Sequence, residues 1–520
     1  LLPDGGSALP VMTGLLLFGC ALNLSVIRGL LSLVTFRPDF DSAVALAALA
    51  ALLHSVWLFF NPAQAAGAGA QSYAAAALFG LLLSDVGKLL MLTRIAENFE
   101  EVATLKRKSA AFILNDDELA RDASAGMVLG SPVVCCTREA GNLRHFLYHS
   151  FSEDPADVLC ARLSPVSLLA GAVAFGAALI LGQTLTVALT ALCAVLCLFL
   201  PAVALVAGHA QMYSAAKRVK EEGGMLSGFD AVTEFCYTSS LAADAKDLFE
   251  DDNVVLHSIR TFGGMAIDQA IMDCAGVAIA SHSPLSDLFD KVIEGRRGIL
   301  PKVESLDYED GCGISGVVSG RRILVGNREL CVRHSIPNLP DPALEAKILR
   351  SGRFPVYLSS GGELAAMFIV AYEADEDIAR QLLRLTQSGV SLLISTSDPN
   401  ITDDMVCGYF GLPPEAVRVL PADISARLHT KTRPVRAQAA LLTHQNTLAA
   451  LAGGLRACVR LRGNFTFILI AQIVFLCAGA AVGLYSLAAA SALWLSVPLL
   501  LAFQAGSLLL TLLALAFRKP

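Results

Sequence analysis

The chain has 520 residues, of which 55% are hydrophobic and 16% are charged, and its formal net charge at pH 7 is -7. Its mean hydropathy of +0.59 excludes an ordinary soluble protein and indicates that much of the chain lies in lipid. The negative net charge and the lack of a dense Lys/Arg tract exclude nucleic acid as a partner.

Seven stretches are long and apolar enough for transmembrane helices, which need about 20 mostly apolar residues. They are 9–35, 43–60, 72–95, 164–183, 185–207, 465–485 and 488–517. Lysines and arginines end the first, third and fifth stretches and flank the last two, so the positive-inside rule puts these ends in the cytoplasm. This orientation puts Leu1 outside, and one further upstream span would give eight in a full protein.

The 13 cysteines show neither CxxC metal spacing nor a disulfide framework, a pattern typical of free thiols in a reducing compartment. Cys193 and Cys197 share one face of the fifth predicted span and are candidate metal ligands, with His209 as a third. The alternative is that both cysteines pack as small hydrophobic residues, as buried cysteines usually do.

The polar half of the chain alternates short β-branched runs with helical stretches. Strands are predicted at 239–243, 356–358, 366–370, 390–395 and 417–420, and a helix at 373–387. This alternation predicts a mostly parallel, doubly wound sheet. A glycine-rich insert at 263–353 predicts a second, antiparallel domain, with a hairpin of strands 315–318 and 322–325 turning at Ser319 and Gly320.

The insert reads DGCGISGVV from 310 to 318 and ILVGN from 323 to 327. It resembles the nucleotide-binding domain of the heavy-metal branch of the P-type ATPases, which transport copper, zinc or cadmium. Glycines let backbone N–H groups approach a phosphate closely. The resemblance implies contacts to ATP from Gly311, Gly313, Ile314, Gly326 and Asn327. The alternative is a tight hairpin that needs its glycines for turn geometry alone.

The family's S-E-H-P motif corresponds to SHSP at 281–284. The resemblance therefore implies that His282 lies near adenine, the alternative being a surface histidine. ATP is the cofactor that these matches imply. Mg²⁺ stays open, because the family's metal-binding G-D-G-x-N-D motif is absent from the sequence.

The family's phosphorylation motifs follow in order but are eroded. Asp244, after the first sheet strand, is the candidate phosphorylated nucleophile, although the Lys-Thr-Gly-Thr that should follow it is missing. The family's T-G-D corresponds to TSD at 396–398, which makes Thr396 and Asp398 candidate catalytic residues. Ile424 stands where the lysine of P-x-D-K belongs, and Lys431 is a possible substitute.

The transport and dephosphorylation motifs are eroded as well. The segment 96–162 is short and lacks the T-G-E-S of the family's actuator domain. The membrane motif C-P-C corresponds to LPA at 200–202, so Pro201 stays as a helix-kinking residue of the transport path without thiolate ligands. Asn464 and Gln472 are predicted to hydrogen-bond between helices.

We therefore predict an α-helical transmembrane bundle of about seven spans with cytoplasmic α/β domains, in a bacterial plasma membrane. The segments implied are spans 1–3 (1–95), a reduced actuator-like segment (96–162), spans 4–5 (163–208), a doubly wound, haloacid-dehalogenase-like P domain (209–262 and 354–462), the inserted antiparallel nucleotide-binding domain (263–353) and spans 6–7 (463–520).

The functional prediction is a degenerate P-type ATPase-like protein that binds ATP but has impaired or no phosphorylation-coupled transport. One alternative is an active, divergent cation transporter that uses Asp244 as its nucleophile. The other is a membrane scaffold without nucleotide binding. The expected partners are the lipid bilayer and a nucleotide, while the sequence names neither a transported cation nor a protein partner.

Overall fold

The computed structural model describes residues 5–67, 70–103, 108–127, 130–249, 253–281, 283–445, 447–488 and 496–518. The helices up to residue 235 are α1 (Gly5–Leu22), α2 (Leu24–Val34), α3 (Ser42–Phe60), α4 (Pro62–Gly67), α5 (Ala74–Ala103), α6 (Asp117–Ala123), α7 (Phe146–Ser150), α8 (Pro155–Ile180), α9 (Leu185–Leu198), α10 (Ala202–Glu221) and α11 (Phe229–Phe235). Those that follow are α12 (Ala245–Leu248), α13 (Ile267–Ala280), α14 (Leu285–Val292), α15 (Arg328–Arg333), α16 (Pro342–Arg350), α17 (Glu376–Thr386), α18 (Asp403–Phe410), α19 (Ala422–Lys431), α20 (Leu448–Ala488) and α21 (Val497–Phe517).

The strands form two sheets. They are β1 (Lys108–Ile113), β2 (Val134–Arg144), β3 (Gly224–Leu226), β4 (Ser240–Asp244), β5 (Val254–Thr261), β6 (Val303–Glu309), β7 (Gly313–Val318), β8 (Arg321–Gly326), β9 (Phe354–Ser360), β10 (Glu363–Tyr372), β11 (Ser391–Ser395), β12 (Val417–Val419), β13 (Val435–Ala439) and β14 (Leu442–His444).

Six helical segments among the described residues are long and apolar enough to cross a membrane: Ser42–Phe60, Ala74–Ala103, Pro155–Ile180, Leu185–Glu221, Leu448–Gly483 and Val497–Phe517. The pair α1 and α2 is bent by 72° and gives a seventh if it is one span. The six segments confirm the predicted windows from 43–60 onwards, and the window 9–35 corresponds to the bent pair. Residues 489–495 of the last window lie outside the described part. The chain is a multi-pass integral membrane protein.

The larger sheet runs in the order β12-β11-β4-β2-β1-β14-β3, with β13 beside β2. Strands β12, β11, β4 and β2 are parallel, whereas β1, β14 and β3 join by antiparallel pairs. The predicted strands 239–243, 390–395 and 417–420 correspond to β4, β11 and β12, and the predicted helix 373–387 to α17. The combination of a helical bundle with α/β domains is therefore confirmed.

The segment 96–162 contributes directly to this larger sheet. Its strands β1 and β2 lie between β14 and β4, and β2 is the parallel neighbour of the strand that carries Asp244. Helix α6 packs beside α19, where Arg427 forms an ion pair with Asp122 at 2.9 Å. The segment predicted as reduced and actuator-like thus contributes two strands to the larger sheet.

The smaller sheet is antiparallel, in the order β5-β10-β9-β8-β7-β6. The predicted hairpin is present as β7 and β8, with positive φ at Ser319 (51°) and Gly320 (72°), as a two-residue turn requires. Strands β9 and β10, assigned from sequence to the parallel sheet, lie here instead. Gly361 and Gly362 adopt φ of 62° and 91° and turn the chain straight back, so that these two strands pair antiparallel.

Candidate functional site

Asp244 ends β4 at the carboxyl edge of the parallel strands, beside Ser395 at the end of β11. One oxygen of its carboxylate accepts a hydrogen bond from the backbone N–H of Lys246 at 3.0 Å. Its own N–H donates to Asp247 Oδ2 at 3.2 Å, which completes a capping box at the start of α12. The predicted nucleophile therefore has a structural role as a helix cap.

A histidine from α19 lies next to this carboxylate. His429 Nε2 is 3.6 Å from Asp244 Oδ2 and 3.0 Å from Ser395 Oγ. Ile424, which stands where the family has lysine, is buried in the core instead. Sequence reasoning missed His429, because no helix was predicted for the stretch that forms α19, where His429 lies just over one turn beyond Ile424.

Lys431, the suggested substitute for the missing lysine, forms an ion pair with a carboxylate other than that of Asp244. Its Nζ lies 2.9 Å from Asp116 Oδ2 on the cap of α6. This hydrogen bond holds the pKa of the Asp116 carboxyl below its ordinary value. The lysine thus joins α19 to α6, whereas the imidazole of His429 on the same helix lies next to Asp244.

Thr396 and Asp398 lie in a hydrogen-bonded turn after β11. The Thr396 hydroxyl accepts the N–H of Asp398 at 3.0 Å, and Asp398 accepts the N–H of Asn400 at 3.0 Å. The second carboxylate oxygen of Asp398 accepts a hydrogen bond from the hydroxyl of Tyr372. Both side chains of this bond are buried, which raises the pKa of the Asp398 carboxyl and of the Tyr372 phenol.

A Mg²⁺ site at Asp244 is not supported by its surroundings. In the part of the chain that the structure describes, the one group of three His, Cys, Asp or Glu side chains close enough to share an ion lies elsewhere. One carboxylate oxygen of the neighbouring Asp247 accepts the N–H of Asp244 in the capping box. Among the residues that the structure describes, the side chains around Asp244 therefore do not form the carboxylate set that Mg²⁺ requires.

The glycines of the candidate nucleotide motif are required by the hairpin itself. Gly313 has a φ of 141°, and a Cβ there would lie 2.4 Å from Val325 O. A Cβ on Gly326 would lie 2.2 Å from Cys312 O. Both positions exclude any larger residue, so these two glycines alone do not distinguish a nucleotide site from a tight hairpin.

The other residues of the motif differ in how accessible they are. Asn327 caps α15 through the N–H of Leu330 and donates to Gly311 O at 2.7 Å. Gly311, at a φ of 63°, has open space around it, so its backbone is accessible to a ligand. Ile314 is buried and offers a ligand at most its backbone. His282 lies outside the described residues.

The insert touches the larger sheet on the side of Asp244. The carboxylate of Asp310, the first residue of the glycine motif, accepts the N–H of Ala422 at the start of α19. Lys246 Nζ donates to Ser286 Oγ at 2.5 Å and lies 3.4 Å from Asp287 Oδ2 on α14. The motif therefore lies at the beginning of the helix that also carries His429.

Pro201 interrupts the long membrane segment between α9 and α10. The backbone N–H groups of Val203 and Ala204, which lose their helical acceptors there, both donate to Gln472 Oε1 at 3.0 Å. On the other side of the break, Gln504 Nε2 donates to Cys197 O at 2.5 Å. Two amide side chains, one from α20 and one from α21, thus supply hydrogen-bond partners to backbone groups at the break. The prediction that Gln472 hydrogen-bonds between helices is confirmed.

His209 lies near two carboxylates and not near the two cysteines. Its Nε2 is 3.4 Å from Asp157 Oδ1, and its Nδ1 is 3.8 Å from Asp154 Oδ2. Candidate ligand atoms of these three residues lie within 4.8 Å of one another. Cys193 and Cys197 are buried on α9, and the Cys193 thiol donates to Ala50 O. The suggested site of Cys193, Cys197 and His209 is therefore not formed.

Comparison with known proteins identifies relatives of one kind. The chain is 22% identical over 205 residues to a copper-exporting P-type ATPase of Legionella pneumophila, a match that covers 39% of the chain and 28% of the relative. It is 24% identical over 260 residues to copper-transporting ATPase 2 of Rhizobium meliloti, covering 49% of the chain and 31% of the relative. The chain is a divergent relative of the heavy-metal P-type ATPases.

This relationship extends to pumps for other metals. A cadmium, zinc and cobalt-transporting ATPase of Bacillus subtilis is 26% identical over 171 residues, which is 33% of the chain and 23% of that protein. Each of these matches spans less than a third of the relative's own length. No protein-family model matches the chain. A zinc-transporting PIB-type ATPase in its E2.Pi state superposes over 97% of both chains, at 14% identity and a TM-score of 0.45.

Proposed function

We propose that this protein is an ATP-binding relative of the heavy-metal pumps that does not complete a phosphorylation cycle. The observation that carries the proposal is the environment of Asp244. Its carboxylate caps α12, the imidazole of His429 lies beside it, and no described group of metal ligands includes it. Phosphoryl transfer depends on cations placed around the transferring group, so losing the lysine and the metal ligands costs several orders of magnitude in rate.

Nucleotide binding is supported by the exposed backbone at Gly311 and by the position of the motif beside α19. Lys246 and the start of α19 lie on the facing side, where an ammonium group and backbone N–H groups attract phosphate oxygens. In this proposal ATP lies between the insert and the larger sheet. Its binding replaces the contact of Asp310 with Ala422 and that of Lys246 with Ser286 by contacts to the nucleotide.

The test uses the full chain in lipid nanodiscs. Calorimetry measures ATP binding with and without Mg²⁺, and incubation with labelled ATP measures acid-stable phosphate on the protein. We expect binding without incorporation of phosphate. Mg²⁺-dependent ATPase activity that disappears in Asp244→Asn would overturn the proposal. Failure of ATP and ADP to bind or to shift thermal unfolding would instead favour a scaffold.

The second candidate function is a divergent cation transporter, and two observations favour it. The imidazole of His429 lies 3.6 Å from Asp244, and the group of buried Asp154, half-buried Asp157 and buried His209 has the carboxylate and imidazole donors that bind divalent metals. This function predicts a metal-stimulated ATPase that loses its metal response in His209→Ala. The matched control is Cys193→Ala, which should leave the response unchanged.

A further inference from the structure

Three helices, α10, α17 and α20, meet at the carboxylate of Glu222. Glu222, at the end of α10, accepts a hydrogen bond from Gln381 Nε2 on α17 at 2.5 Å. Its other oxygen lies so close to α20 that a Cβ on Gly453 would be 1.8 Å away. The contact positions of α10, α17 and α20 are thus fixed relative to one another by Glu222.

Each of these helices carries an arginine one turn from that contact. Arg218 precedes Glu222 by four residues, Arg384 follows Gln381 by three, and Arg456 follows Gly453 by three. Residues three or four apart share a helix face, so the three guanidinium groups converge on the same region. A fourth arginine, Arg460, lies one further turn along α20. Arg456 interacts electrostatically with Arg218, Arg384, Arg460 and Glu222.

We call Arg218, Arg384, Arg456 and Arg460 the arginine cluster. Glu222 is the acidic neighbour of Arg384 and Arg456. Among the described residues, Arg384 and Arg456 form no ion pair, and the Nε of Arg456 is buried without a hydrogen-bond partner. Lys220, in the same turn of α10, is by contrast paired with Glu100 at 3.1 Å.

The cluster lies close to the membrane surface. The apolar stretch of α20 begins at residue 465, and a helix rises about 1.5 Å per residue. Arg460 is therefore roughly 8 Å and Arg456 roughly 14 Å above the start of the hydrocarbon region. Arginine side chains extend towards the headgroup layer and contact phosphates there.

Like charges held together destabilise a fold unless an anion joins them. We propose that the arginine cluster binds a phosphate-bearing anion, held between α10, α17 and α20. Guanidinium groups match phosphate oxygens through paired, charge-assisted hydrogen bonds, and the buried Nε of Arg456 is a donor without a partner among the described residues. The phosphate comes either from an anionic phospholipid headgroup or from a soluble phosphate compound.

The occupied site would connect the larger sheet to the membrane. Helix α17 packs on α20, and α20 continues into the bilayer as one uninterrupted helix. An anion shared by Arg384 of α17 and Arg456 of α20 therefore strengthens that contact. The site is separate from Asp244 and from the nucleotide motif, and its existence does not depend on the function proposed above.

The test compares the wild-type chain with Arg384→Gln/Arg456→Gln in nanodiscs of pure phosphatidylcholine and in nanodiscs with phosphatidylglycerol. Inorganic phosphate is then titrated into the phosphatidylcholine discs. The readout is the midpoint of thermal unfolding, with lipid retention measured by mass spectrometry. The control is Arg380→Gln, because Arg380 lies on the same helix but pairs with Asp377 at 2.9 Å.

We expect an anion to raise the unfolding midpoint of the wild type and of Arg380→Gln, and to raise that of the double variant much less. Because each charge-assisted contact contributes roughly a tenfold factor, the double variant should lose about a hundredfold in anion affinity. A response to phosphatidylglycerol identifies a lipid headgroup, and a response to inorganic phosphate identifies a soluble ligand.

Two results would overturn the proposal. The first is the absence of any shift with either anion in the wild type. The second is a double variant less stable than the wild type in phosphatidylcholine without phosphate, which would mean that the arginines act only as partners of Glu222. The exposed single variant Arg384→Gln removes one guanidinium without disturbing the core, so it repeats the comparison if the double variant does not fold.

Discussion

Gln472 is predicted to hold the broken membrane helix together. Substituting Gln472→Leu keeps the volume but leaves the N–H groups of Val203 and Ala204 without an acceptor in a buried position. Each unsatisfied buried donor costs about 1–3 kcal/mol, so the expected loss is about 2–5 kcal/mol after the gain from burying leucine. The cost is high because neither water nor a helical carbonyl can replace the amide there.

The assay is equilibrium unfolding of the purified chain in mixed micelles with increasing SDS. The control is Thr466→Val on the same helix, whose exposed hydroxyl bonds only to Arg462 O, and which should cost less than about 0.5 kcal/mol. In a Pro201→Ala background, helical bonding across the break can resume, and the cost of Gln472→Leu should fall. A loss under about 1 kcal/mol, or an equal loss in both backgrounds, would refute the reasoning.

Three further predictions concern the cytoplasmic half. His429→Gln should weaken the binding of orthovanadate, a phosphate analogue, at Asp244 by roughly tenfold, whereas His429→Lys should retain it, as measured by calorimetry. Burial lowers the pKa of His444 to about 4, so the unfolded state takes up its proton first as the pH falls below about 6.5. Up to about 3 kcal/mol of stability should then be lost between pH 6.5 and 4, and a buffer series of unfolding curves should show a shallower slope for His444→Leu. Gly313→Ala should cost more than about 2 kcal/mol in chemical unfolding because of its φ and the contact with β8, whereas Gly408→Ala, in open space on α18, should not destabilise the protein.

The sequence was sufficient where a structure depends on local chemistry. The turn at Ser319 and Gly320 follows from two residues that accept positive φ, and the membrane spans follow from uninterrupted apolar runs. It was insufficient where strands of similar composition choose between sheets. Strands β9 and β10 were predicted as parallel-sheet strands because their central stretches, 356–358 and 366–370, are apolar, and only the glycine pair at 361–362 indicated a hairpin.

The candidate site shows the same division. Asp244 could be located from its position after a strand, because doubly wound sheets gather chemistry at that edge. His429, in contrast, depends on how α19 lies against two strands that are distant in sequence. The approach of His209 to Asp154 likewise depends on the packing of α8 against α10, which no spacing in the sequence encodes.

The larger sheet also determines the order in which the protein can fold during synthesis. Its strand β1 is made early, yet one of its two neighbours is β14, which pairs Ser109 with His444. At about 5–20 residues per second, the ribosome adds the intervening chain over roughly 15–70 seconds. During that interval the edge of β1 is open to other strands, a hazard for aggregation. Chains that end before β14 should therefore aggregate or be degraded, although every transmembrane helix up to α10 is already complete.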